Sequence, residues 1–488
     1  MKYFHLFQTK SAHDAEYYGS DYNEPWVGYT VATEDVTYNK PYEMQYLTFK
    51  ALESGTFKFS GNSVNYSVDK GRTWTTLASN TNTPALNAGD TIMFKAQLTP
   101  GSTTGVGRFS STGMYEAKGN PYSLLYGDDF IGVTDLTGKN SALRLLFYNS
   151  SGLTSAEHLS LPATTLSESA YTSMFYNCSG LTAPPEVLPA KTLTSGCYSN
   201  MFALCYSLRT SPSFSPTTVA GNCCNSMFYS CSALTETPEL PATTLAPGCY
   251  QSMFSKCTSL TSAPSLPATT FASSCYNRMF YRTGLLPDTS KIDFTSETIA
   301  NSGALQGLFA GTPITDSILN GILPKNSQNK YCLPVETLNN RAYADMFREC
   351  SGLTVAPELP ATTIGEYCYE TMFAGCSALT TAPSILPALE LKTMCYSNMF
   401  SACTSITTAP ELPATTLASS SYHQMFSGCT SLNYVKAMFT TTPGASYTSN
   451  WVSGVAASGT FVKNSAATWT TTGANGVPTG WTVQTASS

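Results

Sequence analysis

Apolar residues recur along most of this chain in an order that restarts about every 26 residues. Aligned on a Met-Phe or Leu-Phe pair, the pair begins at Leu146, Met174, Met201, Met227, Met253, Met279, Leu308, Met346, Met372, Met399 and Met425. The steps between these positions are 28, 27, 26, 26, 26, 29, 38, 26, 27 and 26 residues. Self-similarity at such a period predicts a solenoid, because a unit this small cannot bury its apolar face alone and must bury it against its neighbours.

Each unit reads as two halves. In "CYSNMFSACTSI" the apolar positions Cys395, Tyr396, Met399, Phe400, Cys403 and Ile406 fall at i, i+1, i+4, i+5, i+8 and i+11, which predicts a short helix with one apolar face. In the following "TTAPELPATTL", Pro410 and Pro413 each remove an amide donor and push the preceding residue toward extended geometry. The alternation in "LPATTL" predicts a short strand there. This order of a leucine-proline extended segment, a helix with a phenylalanine and then a cysteine resembles the BspA-like (Treponema-type) leucine-rich repeats. The resemblance covers residues 145 to 435 and implies an α/β leucine-rich-repeat solenoid, a fold most often found in bacterial cell-surface adhesins. Two departures stand out: the units are longer than usual for that family, and between 283 and 342 the column cysteines disappear and "PDTSKIDFTSETIANSG" is inserted. That part is expected to be a distorted coil with an excursion.

Outside the array the pattern changes, so a multidomain chain is expected. Over 45–137, alternation at Phe57, Phe59, Val64, Tyr66 and Val68, broken by Gly and Asn turns, predicts an all-β, sandwich-like domain. Within it "SVDKGRTW" (Ser67, Asp69, Gly71, Thr73, Trp74) is similar to the Asp-box hairpin of sialidases. The similarity implies a turn held by its own carboxylate; a sialidase-like enzyme would further need an arginine cluster and a nucleophilic tyrosine with an acidic partner, and nothing near the box supplies them. Residues 1–44 carry too little apolar surface for a core and are expected to dock on another body. Phe7, Thr9, Pro25, Val27, Tyr29, Val36, Tyr38 and Asn39 fit a string resembling the leaders of structural proteins from tailed phages of gut Bacteroidales, which implies a virion-anchoring segment. The solenoid is placed at 138–435, and 436–488, where the period is lost, is expected to be a small β-rich cap on its last coil.

Composition then narrows the chemistry. Charged residues make up 11% of the 488 and the formal net charge is -6, with no Lys/Arg cluster, so nucleic acid is excluded as a partner. No apolar run reaches the roughly 18 residues of a membrane span, and the first residues lack a secretory apolar core, so neither membrane insertion nor export by a cleaved signal is expected.

Fourteen of the sixteen cysteines form two columns, four before the Met (Cys197, Cys223, Cys249, Cys275, Cys368, Cys395) and four after it (Cys178, Cys205, Cys231, Cys257, Cys350, Cys376, Cys403, Cys429). On a helix, eight residues separate them by roughly 12 Å, too far for a disulfide, and the spacing does not suit zinc. Ala170, Thr283, Ala342 and Ser421 fill the same positions, so small size reads as the shared property. The cysteines and the Met column are therefore read as structural, with no metal or other cofactor. The tyrosines three before the Met are read as half-buried rungs whose hydroxyls reach water.

Catalytic residues are not expected. His5, His13, His158 and His423 are scattered, and Asp128 and Asp129 read as a plain turn rather than a calcium site. The expected function is that of a non-enzymatic phage virion surface protein, a head fibre made in the host cytoplasm. It would join the capsid or another virion protein through 1–44, display the solenoid for adhesion to host-surface or mucosal glycans or proteins, and associate as a homo-oligomer. A bacterial cell-surface leucine-rich-repeat adhesin and a sialidase-like carbohydrate-active enzyme are the alternatives.

Overall fold

The computed structural model describes residues 41–284 and 301–486. The leader positions Phe7 to Asn39 and most of the inserted "PDTSKIDFTSETIANSG" lie outside the described residues.

The first part is β, as its alternation predicts. Strands β1 (Leu47–Ala51), β2 (Phe57–Phe59), β3 (Val64–Ser67), β4 (Thr75–Leu77), β5 (Thr91–Lys95), β6 (Phe109–Ser111), β7 (Tyr115–Lys118) and β8 (Leu153–Ser155) form two sheets. One has six strands in the order β4-β3-β5-β1-β7-β8, the other is the β2-β6 ribbon. Between them Phe49, fully buried, meets Phe57, Phe94 and Phe109 at ring separations of 5.1, 5.0 and 4.8 Å.

Pairing in the larger sheet is antiparallel up to β7, whose far edge takes β8 in parallel. Strand β8 already belongs to the first coil, since Ser155 bridges in parallel to Ala183 one coil on. The sheet thus runs into the solenoid and covers its first open face.

Each coil was expected to contribute a helix, and the structure corrects this. Among the described residues the α-helices are α1 (Ser123–Tyr126) and α2 (Asp316–Ile322), and neither is the repeating element. The Met-Phe half of a coil is a ribbon of consecutive turns. From Tyr171 to Cys178 the amides alternate in destination. Those of Thr172, Met174, Tyr176 and Cys178 bond three residues back, to Ser169, Tyr171, Ser173 and Phe175, at 3.1 to 3.2 Å. Those of Tyr171, Ser173, Phe175 and Asn177 bond the next coil at Cys197, Ser199, Met201 and Ala203, at 2.8 to 2.9 Å.

Every fourth residue turns left-handed, as at Ser169, Ser173 and Asn177 with φ of 57°, 55° and 56°. Side chains other than Gly, Asn and Asp adopt that region at a cost, and the bonds to the neighbouring coil offset it.

Spacing explains the difference. An α-helix advances about 100° per residue, so columns eight apart would sit about 80° out of line, whereas a ribbon repeating every four residues returns Cys, Met and Cys to one face. The extended halves pair in parallel from coil to coil, at Thr192–Thr218, Thr244–Thr270, Thr337–Thr363 and Glu390–Thr416.

Phenylalanines stack along the whole array, from Phe147 on Phe175 (5.3 Å) through Phe202, Phe228, Phe254, Phe280, Phe309, Phe347 and Phe373 to Phe400 on Phe426 (5.6 Å). Beyond it β9 (Tyr434–Ala437), β10 (Thr460–Asn464) and β11 (Thr482–Ala486) form a parallel sheet. Tyr434 pairs with Thr460 and Thr460 with Thr482, so residues 436–486 continue the coiling with Trp451, Trp469 and Trp481 in the interior.

Candidate functional site

The repeated side chains fill the molecule. Met174, Met201, Met227, Met253, Met279, Met372, Met399 and Met425 are completely buried. All sixteen cysteines are buried and unbridged.

The column after the Met has a role that size alone did not suggest. Its thiols donate to the phenylalanine carbonyl of the preceding coil: Cys178 to Phe147 at 3.0 Å, Cys205 to Phe175 at 3.0 Å, Cys231 to Phe202 at 3.1 Å, and likewise Cys257, Cys376 and Cys403. Where threonine replaces cysteine, Thr283 and Thr312 hydroxyls donate to the Phe280 and Phe309 carbonyls of their own coil. A small donor is what the position requires, and the Cys/Thr exchange in the sequence was the signal for it.

Burial pushes the Cys178, Cys257 and Cys429 thiols up to about 12, so they remain protonated and unreactive near neutral pH. A thiol reagent at pH 8 is therefore expected to label the native protein slowly, with Cys332, 5% exposed, the first to react, and to label the other cysteines together when the array is denatured. Rapid labelling of the native chain would contradict interior thiols. Their pKa values are raised on folding, so their stabilisation is complete below about pH 8.5 and declines as pH rises above it, where only the unfolded chain ionises.

The tyrosine column is not half-buried. Tyr171, Tyr198, Tyr250, Tyr276, Tyr343, Tyr369, Tyr396 and Tyr422 are each at most 1% exposed, and the Tyr198, Tyr250, Tyr343 and Tyr396 hydroxyls meet no hydrogen-bond partner among the described residues. An unsatisfied buried hydroxyl costs about 1–3 kcal/mol, so Tyr396→Phe is expected to leave the melting temperature unchanged or raise it. Tyr115→Phe, which deletes a 2.9 Å bond to Ser150, is expected to lower it.

The Asp-box residues form a closed hairpin turn between β3 and β4. Asp69 accepts from the Ser67 hydroxyl (2.7 Å), the Thr73 amide (2.9 Å) and the Thr73 hydroxyl (2.6 Å), while Ser67 Oγ accepts from the Gly71 amide (2.8 Å). The Thr73 and Ser67 bonds hold the Asp69 carboxyl well below the usual carboxylate range. Its oxygens are committed to the turn.

Trp74 lies beside Tyr46 at 5.0 Å, and Lys95 Nζ sits 4.4 Å from its ring centre. Lys95 also bonds Asp128 at 2.7 Å, and the Tyr46 hydroxyl donates to Asp128 at 2.8 Å. The turn at Asp128 is thus tied to the Asp-box hairpin, a juxtaposition invisible in a sequence that separates them by about sixty residues. His158 stacks on Tyr42 at 4.5 Å, with Nδ1 3.5 Å from Glu186.

Two features mark the outer surface. The first is a ladder of exposed residues along the extended halves, threonine pairs at Thr164 and Thr165, Thr217 and Thr218, Thr243 and Thr244, Thr269 and Thr270, Thr362 and Thr363, and Thr415 and Thr416, with Lys191, Glu336, Leu389 and Glu390 taking the same places in other coils. One carbonyl of the preceding coil fixes several of these pairs, as when Thr243 O accepts the amides of Thr269 (2.9 Å) and Thr270 (3.1 Å). Parallel pairing sets the spacing between such rows at about 4.8 Å.

The second is the irregular stretch, where charge concentrates. Arg282 reaches Glu349 at 2.8 Å and Arg278 reaches Asp345 at 3.9 Å, both across the coil of Gly307 and Gly311. A Cβ on Gly311 would lie 2.6 Å from Arg282 Cγ, so the glycine makes room for the strap. In the same stretch, a cleft of about 320 Å³ opens between the segment 320–331 and the coils at Val355 and Thr381.

No family model matches the chain, and no curated protein matches it in sequence. Among solved structures it is similar to the crystal structure of a leucine-rich repeat protein from Bacteroides ovatus, with 17% identity over 66% of this chain and 82% of that one and a TM-score of 0.32.

Proposed function

We propose that this chain is a non-enzymatic display scaffold, an adhesin-type repeat protein whose coils hold regular polar surfaces against glycans or proteins of a host or mucosal surface. The observation that carries this reading is the ladder of exposed residues along the extended halves, threonine pairs in most coils, on a stack whose interior is filled by aromatic, thioether and thiol side chains. Such rows suit many weak contacts made at once, because avidity multiplies modest single-site affinity.

The finer reading is a phage head fibre, joined to the virion through residues 1–44. It is supported by the leader positions Phe7, Thr9, Pro25, Val27, Tyr29, Val36, Tyr38 and Asn39. Immunogold labelling against this chain tests it: gold on phage heads is expected, and gold confined to the bacterial envelope assigns the adhesin to the cell instead. Adhesion itself is tested by binding of the purified full chain, presented multivalently, to Bacteroidales cells and to mucin. Absence of binding to both overturns the display reading, and turnover of sialosides overturns its non-enzymatic part.

A further inference from the structure

Resting on the display reading, we infer that the cleft beside the irregular coil is a binding site for a carboxylated sugar, of the hexuronic or sialic acid class, within a surface glycan. Elsewhere the extended halves of the coils follow one another in register. Here the chain leaves the stack as helix α2 and returns through a hairpin closed by the Lys325–Tyr331 bridge, so a concave space forms over the ladder. Its size falls at the small end of the range for ligand sites, about 300–1,000 Å³, which suits one or two sugar rings. Insertions in repeat arrays are where recognition commonly sits.

The walls are fixed in place. Asp316, at the start of α2, accepts the amides of Thr354 (3.0 Å) and Val355 (3.1 Å) and bonds the Thr354 hydroxyl, fastening the excursion to the following coil. Asn326 accepts the amides of Gln328 and Lys330, each at 3.0 Å, which shapes the hairpin.

Complementarity gives the ligand class. Val355 and Ala382 supply an apolar floor and Tyr331 an aromatic edge for the C–H face of a pyranose, while the Asn320 and Asn329 amides offer donors and acceptors for its hydroxyls. Of the two ammonium groups at the cleft, Lys330 is neutralised by Glu358 at 2.9 Å, and Glu358 is held in turn by the Ser384 amide and hydroxyl at 3.0 and 2.7 Å. Lys325 has no carboxylate partner among the described residues. A carboxylate on the sugar adds a charge-assisted hydrogen bond to Lys325 that a neutral sugar cannot make.

The test uses the full chain titrated with glucuronic acid and N-acetylneuraminic acid, with glucose and N-acetylglucosamine as neutral controls, read by ligand-observed NMR. Binding of an acid sugar that weakens with added salt, with the neutral sugars at least about tenfold weaker, is the expected result. Lys325→Gln is expected to lose about tenfold in affinity without a change in melting temperature, because Lys325 is exposed, and Asn320→Ala is expected to weaken binding as well. The proposal is overturned if neither acid sugar binds, if neutral sugars bind as well as acidic ones, or if Lys325→Gln titrates like the parent. Adhesion of the full chain to cells or mucin that coexists with any of these results removes the cleft assignment and leaves the display reading standing, whereas a chain that adheres to neither fails the display reading itself.

Discussion

Replacing Phe228 by aspartate is expected to unfold the centre of the array. Phe228 is completely buried, with Phe202 stacked at 5.5 Å on one side and Phe254 at 5.7 Å on the other, and its carbonyl accepts the Cys257 thiol at 3.1 Å. Truncating a core phenylalanine costs about 3–5 kcal/mol, and a carboxylate left there without a partner adds several more. The sum is comparable to the whole stability of an ordinary domain, about 5–15 kcal/mol. Because each coil is held chiefly by its neighbours, the loss also uncouples the coils before residue 228 from those after it. Circular dichroism melting should show either an insoluble product or a midpoint lower by at least about 10 °C; a midpoint within a degree or two of the parent would refute an interior Phe228.

The second large effect belongs to the far end of the stack. Trp451 is completely buried where the phenylalanine and tyrosine columns stop, with Phe426 at 6.2 Å, Tyr422 at 6.0 Å and Phe439 at 5.7 Å. Its indole N–H donates to the Gly476 carbonyl at 3.0 Å, so one side chain joins the aromatic columns to the last coils. Trp451→Ala should cost about 3–5 kcal/mol, with about 1–3 more for the abandoned carbonyl. The damage should remain local. Hydrogen exchange is expected to accelerate in residues 432–486 while the coils from 171 to 257 keep their protection, and Trp451→Phe should recover most of the apolar share. Uniform exchange in the variant, unchanged at both ends, would rule out Trp451 as the residue that joins the last coils to the aromatic columns.

Much of this architecture could be read from the chain itself, and the exceptions have physical causes. The Met-Phe pairs and the leucine-proline segments gave the coil and its extended half because both depend on local chemistry and repeat many times. The helix expected for each coil is absent: i, i+4 spacing is common to α-helices and to turn ribbons. The distinguishing sign was the Ser, Asn or Gly before most apolar pairs, as at Ser173, Asn200, Ser226 and Ser252, which are small or turn-forming residues at left-handed positions.

Continuation of the coils past Val435 went unseen because the later coils replace the Met-Phe marker by Trp451 and their spacing shortens to 22 residues between Thr460 and Thr482. At the candidate site, the Asp-box turn was legible since its bonds span four residues or fewer. The Arg282–Glu349 strap, across 67 positions, and the cleft over Val355 and Thr381 were not, because only the return of the chain to the stack brings those residues together.

The alternation of amide bonds within and between coils also governs how the molecule meets force. Bonds between coils lie along the axis of the stack, so tension applied from end to end loads them rung after rung and peels coils away singly. Each coil of about 26 residues that detaches frees roughly 90 Å of slack. A stack built this way lengthens in increments, and the coils still stacked keep their spacing while the rest gives.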